Sequence, residues 1–232
     1  MTRQLKLPIR LHDSVSFANF FSGDNHELLV SMAGFTKQNT ARIFFLYGST
    51  GAGKSHLLQS LSRQTSESGK SAFYVPMTEP GLSPALVTEL AESCLVCIDD
   101  LDAVAGQLEW EEALLALYER LLSGGGALVV SAEQAPNQLG FQLADLTSRL
   151  AAGTVYAVKA LNEEQLPGAM RLRAKARGLT LPDRTIEYLL RRFTRDSSSL
   201  FSILDRADEA ALQFQRRLTV PFIKEIERSL LR

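Results

Sequence analysis

Hydrophobic and polar positions follow two different patterns along the first 160 residues of the chain. Short apolar runs rich in strand-forming residues are separated by longer segments in which apolar residues recur at helical spacing. Strands are predicted over residues 42–47, 71–76, 95–98, 127–131 and 154–158. Helices are predicted over 25–34, 53–68, 83–92 and 108–122, with Asp24 or Asn25 capping the first. Because strands alternate with helices, the pattern predicts an α/β fold with a parallel five-stranded sheet.

The strand pattern stops after Lys159, and the rest of the chain has helical periodicity. Helices are predicted from about residue 162 to 177 and over 183–193, 199–215 and 221–232. Asn162 and Gln165 have the spacing of a reciprocal capping pair, and Pro167-Gly168 predicts a kink or a late helix start. We therefore expect an extended tail over 1–12, an α/β domain over 13–160 and a small all-helical domain over 161–232.

Composition and charge narrow the class of protein. Of the 232 residues, 45% are hydrophobic and 22% are charged, which is ordinary for a globular protein and argues against a disordered chain. The net charge of -1 counts against a uniformly basic, nucleic-acid-coating protein. Residues 1–158 carry 10 basic and 16 acidic side chains, whereas residues 159–232 carry 15 basic and 10 acidic ones. The basic C-terminal third is either a solvated helical surface or a surface that faces a partner.

Cysteine content and hydropathy give an expectation about location. The sequence has no apolar run of the ~18–20 residues that a membrane span needs, and its N-terminus lacks the apolar core of a signal peptide. Two cysteines, Cys94 and Cys97, form no disulfide framework, so a cytoplasmic location is expected. The pair has C-x-x-C spacing, but the surrounding residues indicate a buried strand. We therefore predict two core residues in place of a redox pair.

The strongest chemical signal is a glycine-rich segment between the first predicted strand and the helix that follows. It matches the pattern G-x-x-x-x-G-K-[ST] at every fixed position. Its residues are Gly48, Ser49, Thr50, Gly51, Ala52, Gly53, Lys54 and Ser55. In this setting the backbone N–H groups and the helix N-terminus can cradle phosphates. Lys54 is then expected at the outer phosphates, and Ser55 is expected to bind Mg²⁺.

Polar residues that follow two other strands extend the predicted site. Asp99 and Asp100 come after a buried strand, and a parallel sheet would bring them to the same edge as the phosphate loop. Asp99 is expected to hold Mg²⁺, and Asp100 to polarise an attacking water. Ser131 ends the next strand and either contacts the γ-phosphate or its water, or forms a turn. No His or Cys cluster has metal-ligand spacing, so no zinc is predicted.

With these residues in place, the chain resembles the AAA+ family and, within it, the clade of the bacterial replication initiator DnaA. Residues 51–58 and 98–106 look like the two nucleotide motifs of that clade, and 148–150 looks like its arginine-finger motif. The resemblance implies a P-loop NTPase domain followed by a helical lid, with ADP or ATP and Mg²⁺ as cofactors. It places His56 at the nucleotide and Arg149 as the finger. Phe17, Phe20 and Phe21 are expected either to wall the base site or to belong to the core.

The resemblance also implies partners. The initiator continues into a helix-turn-helix domain, whereas this sequence ends after the lid-like helices, as in a regulatory branch of the clade. Near the N-terminus, Gln4, Leu5, Leu7 and Pro8 resemble that branch's sliding-clamp-binding peptide. The implied function is negative regulation of replication initiation: a nucleotide-bound, clamp-held protein stimulates ATP hydrolysis by DnaA through Arg149 in trans. Contact with DNA would be indirect, through the clamp, with no membrane association and a possible homo-oligomer.

One departure from the family pattern concerns the lid. AAA+ proteins usually carry an arginine at the start of a lid helix, facing the γ-phosphate, and that place falls here at Ser198, with Arg195 three positions away. We therefore expect weak intrinsic hydrolysis. Two alternatives remain open from the sequence: a DnaA-related recruiter or clamp-loader-like ATPase, and a P-loop NTPase or kinase acting on a small molecule.

Overall fold

The computed structural model describes residues 15–35, 42–193, 197–214 and 218–230. Five strands among them form one parallel sheet in the order β2-β3-β4-β1-β5. The strands are β1 (Arg42–Tyr47), β2 (Ala72–Pro76), β3 (Leu95–Asp99), β4 (Ala127–Ala132) and β5 (Thr154–Ala157). The helices of this part are α1 (His26–Ala33), α2 (Lys54–Glu67), α3 (Pro84–Thr88), α4 (Leu108–Ser123) and α5 (Ala144–Ala151). The predicted α/β class and the parallel five-stranded sheet are confirmed.

Both faces of the sheet are covered by helices, which explains the continuous apolar runs in its strands. On β1, Phe45 joins one core with residues of α3, α4 and α5, while its neighbour Phe44 joins a second core with α1 and α2. On β3, Ile98 and Cys97 divide between the same two cores. Successive side chains of a strand point to opposite faces, so each strand supplies both layers.

The helical end of the chain has a core of its own. It contains α6 (Leu166–Ala176), α7 (Asp183–Phe193), α8 (Ser197–Phe214) and α9 (Val220–Leu230). Arg173 on α6 pairs with Asp205 on α8 through two hydrogen bonds, of 2.9 and 2.6 Å, and Arg177 reaches the same carboxylate at 2.7 Å. The predicted all-helical domain after the sheet is confirmed, and this two-arginine pairing ties its first and third helices together.

The start of the helical part follows its predicted signals. Asn162 and Gln165 exchange backbone-to-side-chain hydrogen bonds of 3.1 and 2.9 Å, as a capping pair does. The helix begins at Leu166 with Pro167 in its first turn, where a missing N–H costs nothing. The late start that Pro167-Gly168 predicts is therefore confirmed.

Four local features differ from what the sequence predicted. Helix α5 was not predicted, and the helix predicted over 83–92 is split into α3 and a 3-10 segment, Glu89–Glu92. Asn25 precedes α1 but makes no side-chain cap bond, because its side chain is used elsewhere: its amide exchanges two 2.8 Å hydrogen bonds with the backbone of Lys159. Cys97 is buried as expected, whereas Cys94 lies exposed before the strand begins, so the prediction that both are core residues is wrong.

Within the described ranges, no helix combines the length and apolar character needed to span a bilayer.

Candidate nucleotide-binding site

The glycine-rich segment forms a tight loop between β1 and α2. Gly53 has φ of +100°, and a Cβ there would lie 2.7 Å from the Phe20 ring, so both the turn and the close approach require glycine. Gly48 approaches the carbonyl of Val158 closely enough to leave no room for a side chain. The loop ends directly at the N-terminus of α2, where free N–H groups and the helix dipole favour an anion.

Lys54 lies across the concave side of this loop. Its side chain is buried, and Nζ donates hydrogen bonds to the carbonyls of Gly48 and Ser49 at 2.6 and 3.1 Å. Ser55 follows as the second residue of α2. The predicted loop residues are therefore brought together as the motif requires, with the ammonium charge placed where phosphate would bind. Thr50 adds a contact that the sequence did not predict, donating its hydroxyl hydrogen to Glu133 after β4.

Asp99 forms the acidic wall of the site at the end of β3. Its side chain is almost fully buried, and both of its oxygens accept hydrogen bonds: Oδ2 from the Tyr74 hydroxyl at 2.6 Å, and Oδ1 from the Ser131 hydroxyl. Ser131 also accepts a 3.1 Å hydrogen bond from the backbone N–H of Asp100. Burial and the charge of Asp99 raise the pKa of Tyr74 far above its usual value, which keeps its hydroxyl protonated as a donor.

Asp100 has a left-handed backbone with φ of 56°, which is uncommon for a residue other than glycine. Its carboxyl group is half-buried. Desolvation and then the neighbouring Asp99 charge raise its pKa, with smaller contributions from Asp102 and Glu133 in the same direction and an opposing one from Lys54. Both carboxylate oxygens of Asp102 accept hydrogen bonds from the backbone N–H of Glu133, at 3.0 Å for Oδ1 and 2.9 Å for Oδ2. The carboxylates of Asp99, Asp102 and Glu133 and the ammonium of Lys54 are thus all near enough to influence Asp100.

The donor set fits magnesium better than a transition metal. Mg²⁺ prefers oxygen ligands and is commonly held by one or two carboxylates together with substrate phosphates. Ser55 and Asp99 supply oxygens of that kind. Among the described residues, no group of three or more His, Cys, Asp or Glu side chains has the arrangement of a self-sufficient metal site. A cation here would therefore need phosphate oxygens to complete its coordination.

A small cavity of about 80 Å³ lies beside the loop, between the α/β domain and the helical lid. Its lining comes from the N-terminal segment, the phosphate loop, the start of α2 and the lid. The lining residues are Asn19, Phe20, Phe21, Gly51, Ala52, Gly53, His56, Leu161, Ala169, Arg173 and Phe201. The phosphate loop, the N-terminal segment and the lid therefore meet at this cavity.

His56, on α2, lines this cavity and contacts the N-terminal segment. Its ring packs edge-on against Phe20 with 5.4 Å between centroids, and Nε2 lies 2.9 Å from the carbonyl oxygen of Ser16. Because a carbonyl only accepts, Nε2 carries the proton. Burial lowers the pKa of His56 to about 4, so the ring is neutral at pH 7.

The three phenylalanines predicted either at the base site or in the core do not all line the same cavity. Phe20 lines the cavity beside the loop, together with Phe21. Phe17 instead lines a larger groove formed by the N-terminal segment, α2 and α6. A role for Phe17 next to the base stays a prediction, and the observed cavity favours Phe20.

Arg149 lies on the exposed surface of α5, and its contacts are with residues outside the phosphate loop. Nε is 3.3 Å from Asp145 Oδ1, and a terminal nitrogen is 3.6 Å from Glu119 Oε1 on α4. The guanidinium carbon also sits 5.6 Å from the centre of the Tyr118 ring. The side chain is therefore held at the surface in a position from which it could meet another molecule.

Some predicted residues cannot be placed, and some site residues were not predicted. Gln4, Leu5, Leu7, Pro8 and Arg195 lie outside the described residues, and Ser198 falls in the first turn of α8. The unpredicted residues are Tyr74, Asp102, Glu133 and Arg173. They belong to elements far from the loop in sequence, so only the strand order and the position of the lid bring them to the site.

The sheet, the loop and the helical lid define a P-loop protein of the AAA+ class. The family described as the bacterial DnaA ATPase domain matches residues 11–157, and the family described as the Hda lid domain matches residues 163–226. The chain therefore belongs to the DnaA-related AAA+ family, and it carries an Hda-type lid.

Solved structures share the fold at low sequence identity. Domain III of the Thermotoga maritima replication initiation protein DnaA is 19% identical, with a TM-score of 0.76 over 95% of this chain and 98% of that one. AMPPCP-bound DnaA from Aquifex aeolicus is 18% identical, with a TM-score of 0.68 over 87% and 66%. A replication initiator DnaA bound to AMPPCP and single-stranded DNA is 18% identical, with a TM-score of 0.69 over 89% and 69%.

Proposed function

We propose that this chain binds an adenine nucleotide together with Mg²⁺ and, in that state, acts on DnaA as a negative regulator of replication initiation. The nucleotide part is supported by the loop geometry and by the AMPPCP bound to two DnaA relatives of the same fold. The regulatory part is supported by the Hda-type lid and by the surface position of Arg149.

In the nucleotide site, each residue has a role that follows from its placement. Lys54 compensates the phosphate charge, and the N–H groups of the loop bind the phosphate oxygens. Ser55 and Asp99 would hold Mg²⁺, which when bound neutralises charge on the phosphates. Ser131 orients Asp99 through its hydroxyl, and Asp100 is the candidate for polarising a water. His56 and Phe20 form the wall against which the nucleoside would rest.

Intrinsic hydrolysis is proposed to be weak. A serine at position 198 supplies no guanidinium for the γ-phosphate from the start of α8. A bound nucleotide would then be retained, and it would stabilise the contact between lid and α/β domain.

The observation that carries the regulatory proposal is the placement of Arg149. Its guanidinium is exposed on α5 and contacts surface carboxylates, so it is available to another chain. We propose that it reaches the γ-phosphate of ATP bound to DnaA across an AAA+ interface. Charge spreads over the phosphate oxygens in that transition state, and a trans arginine can raise the rate by ~10³–10⁵.

The N-terminal residues Gln4, Leu5, Leu7 and Pro8 are proposed to hold the chain on the sliding clamp in the cytoplasm. Extended peptides dock through a few side chains in pockets, so four residues of this kind suffice for recognition. Binding to a clamp that encircles DNA would bring Arg149 near DNA-bound DnaA without direct contact with the duplex.

A second candidate function is direct DNA binding, as a DnaA-related recruiter. It is favoured by the 15 basic and 10 acidic residues of the segment 159–232, and by the single-stranded DNA bound to one DnaA relative. Steeply salt-dependent binding of the chain to single-stranded DNA, without clamp, would favour this candidate.

Hydrolysis of ATP preloaded on DnaA is the assay that tests the main proposal. The rate is measured with this chain, with clamp loaded on DNA, and with both. We expect acceleration with both together and little with either alone. A rate with both that equals the rate of DnaA by itself would contradict the regulatory proposal.

A further inference from the structure

Asp99 is fixed from both sides by hydroxyl groups of neighbouring strands. The Tyr74 hydroxyl on β2 donates to Oδ2 at 2.6 Å, and the Ser131 hydroxyl on β4 donates to Oδ1. A carboxylate has about four lone-pair positions, so each oxygen keeps one for a further partner. Because the acid is almost fully buried, these two hydroxyls determine how it is oriented.

Tyr74 is in turn connected to the helix that carries the phosphate loop's Lys54 and Ser55. The side chain of Gln59, on α2, forms a hydrogen bond with the Tyr74 hydroxyl. The amide oxygen of Gln59 is buried and has no hydrogen-bond partner within the described ranges, so its amide nitrogen is the group left to donate to Tyr74. A continuous series of side chains, Gln59, Tyr74 and Asp99, therefore joins α2 to the end of β3.

We propose that Tyr74 is a positioning residue for the metal at the nucleotide site: its hydroxyl orients Asp99 so that the free lone pairs of the carboxylate serve Mg²⁺. The inference rests on the proposal that the loop binds nucleotide with Mg²⁺, and it is independent of any action on DnaA. Groups that hydrogen-bond a metal-binding carboxylate commonly change metal affinity by about 10–100-fold when they are removed.

A purely structural role for Tyr74 has different consequences. The ring is part of the core beneath α2, so a packing role would alter stability, or would alter nucleotide binding equally with and without metal. A positioning role alters the metal-dependent part alone. The two roles are therefore separated by comparing nucleotide affinity in Mg²⁺ and in EDTA.

The test uses Tyr74→Phe, which removes the hydroxyl and keeps the ring. ADP affinity is measured by calorimetry on the full chain, in excess Mg²⁺ and in EDTA, and the Mg²⁺ concentration at half-maximal binding is determined at fixed ADP. We expect the gain in affinity from Mg²⁺ to fall by about 10–100-fold in the variant while the EDTA affinity stays as in wild type.

Two further variants make the result specific. Tyr156→Phe makes the same chemical change on β5, at the opposite edge of the sheet. We expect this variant to gain as much ADP affinity from Mg²⁺ as wild type does. Gln59→Met removes the donor to Tyr74 while leaving Asp99 and both hydroxyls present. We expect it to lower the gain in ADP affinity from Mg²⁺, but by less than Tyr74→Phe does. It serves as the measurement if Tyr74→Phe does not fold.

Three results would overturn the proposal. They are an unchanged gain in ADP affinity from Mg²⁺ in folded Tyr74→Phe, or in Gln59→Met where Tyr74→Phe does not fold, an equal loss of ADP affinity with and without metal, and a wild-type affinity that does not depend on Mg²⁺. ADP binding by the wild type that fails in all conditions would instead contradict the proposed nucleotide function itself. Stimulation of DnaA is not used in this experiment, so its failure cannot be confused with either outcome.

Discussion

Arg149 and Asp145 form an ion pair one turn apart on α5, with Arg149 Nε 3.3 Å from Asp145 Oδ1. Both side chains are exposed, and pairs of this kind stabilise a helix only slightly because water and salt screen them. Breaking this ion pair therefore costs little free energy when Arg149 can bind a stronger anion instead. A triphosphate on another molecule carries more charge than one carboxylate and can bind the planar guanidinium through two oxygens.

Lys54→Ala should weaken ADP binding by about 10–100-fold, because it removes a buried cation that hydrogen-bonds across the phosphate loop. Isothermal calorimetry on the full chain measures this directly. Lys70→Ala, at an exposed position after α2, is the matched control and should bind ADP as wild type does. Equal affinity of Lys54→Ala and wild type would mean that the loop does not bind phosphate.

Replacing Gln4, Leu5 and Leu7 together with alanine should abolish retention on immobilised sliding clamp. Three alanines remove the side chains that an extended peptide uses to dock, and the thermal unfolding midpoint should stay close to that of wild type. Lys6→Ala, in the same segment, is the control variant, and it should be retained on the immobilised clamp as wild type is. Retention of the triple variant at the wild-type level would exclude this segment as the clamp-binding site.

Asn25→Ala should destabilise the chain by about 1–3 kcal/mol, because it leaves the backbone N–H and carbonyl of Lys159 without their side-chain partners. Urea unfolding gives the difference. Asp24→Ala changes an exposed neighbour and should have little effect. An Asn25→Ala variant as stable as Asp24→Ala would show that water replaces both hydrogen bonds at no cost.

The neutral state of His56 gives stability a pH dependence. Burial lowers its pKa in the folded state to about 4, whereas the unfolded value is 6.5. The unfolded chain therefore binds more protons between these two values, and stability falls as the pH drops from about 6.5 towards 4, by up to about 1.4 kcal/mol per pH unit. Urea unfolding of wild type and His56→Gln across this range should show a shallower decline for the variant. Parallel curves would mean that His56 does not titrate differently in the two states.

Local patterns in the sequence were enough to predict the strands, most helices and the phosphate loop. The segment 48–55 is contiguous, and its glycines, lysine and serine act through backbone geometry at fixed spacing. The capping pair of Asn162 and Gln165 is local in the same sense. By contrast, α5 spans two turns with only Leu146 and Leu150 buried, which leaves too little periodicity to detect.

Contacts between distant segments could not be predicted from the sequence. Tyr74 reaches Asp99 only because β2 is the neighbour of β3 in the sheet. Asp24 or Asn25 was expected to cap α1, but the side-chain amide of Asn25 binds the backbone of Lys159, 134 residues away. Arg173 reaches the cavity beside the phosphate loop only through the position of the lid. Each of these depends on tertiary packing, which prevails over local preference.

The central claim is that Arg149 acts on ATP bound to DnaA, and matched variants isolate this residue. Three variants are compared: Arg149→Ala, Arg149→Lys and Arg120→Ala. Each should fold, bind ADP and bind the clamp as wild type does. Arg120 is an exposed arginine on α4 and serves as the control. Arg149→Lys should fail to stimulate ATP hydrolysis by DnaA, because an ammonium cannot reproduce the planar, two-pronged geometry of the guanidinium.

Single-turnover hydrolysis of ATP preloaded on DnaA, in the presence of clamp loaded on DNA, is the most direct measurement. We predict that wild type and Arg120→Ala accelerate hydrolysis, and that Arg149→Ala and Arg149→Lys lower the accelerated rate by about 10³-fold or more, or to the rate of DnaA alone. An Arg149→Lys variant as active as wild type would contradict bidentate contact with the phosphate. An Arg149→Ala variant with the wild-type rate would contradict the account, because hydrolysis would then proceed without the residue.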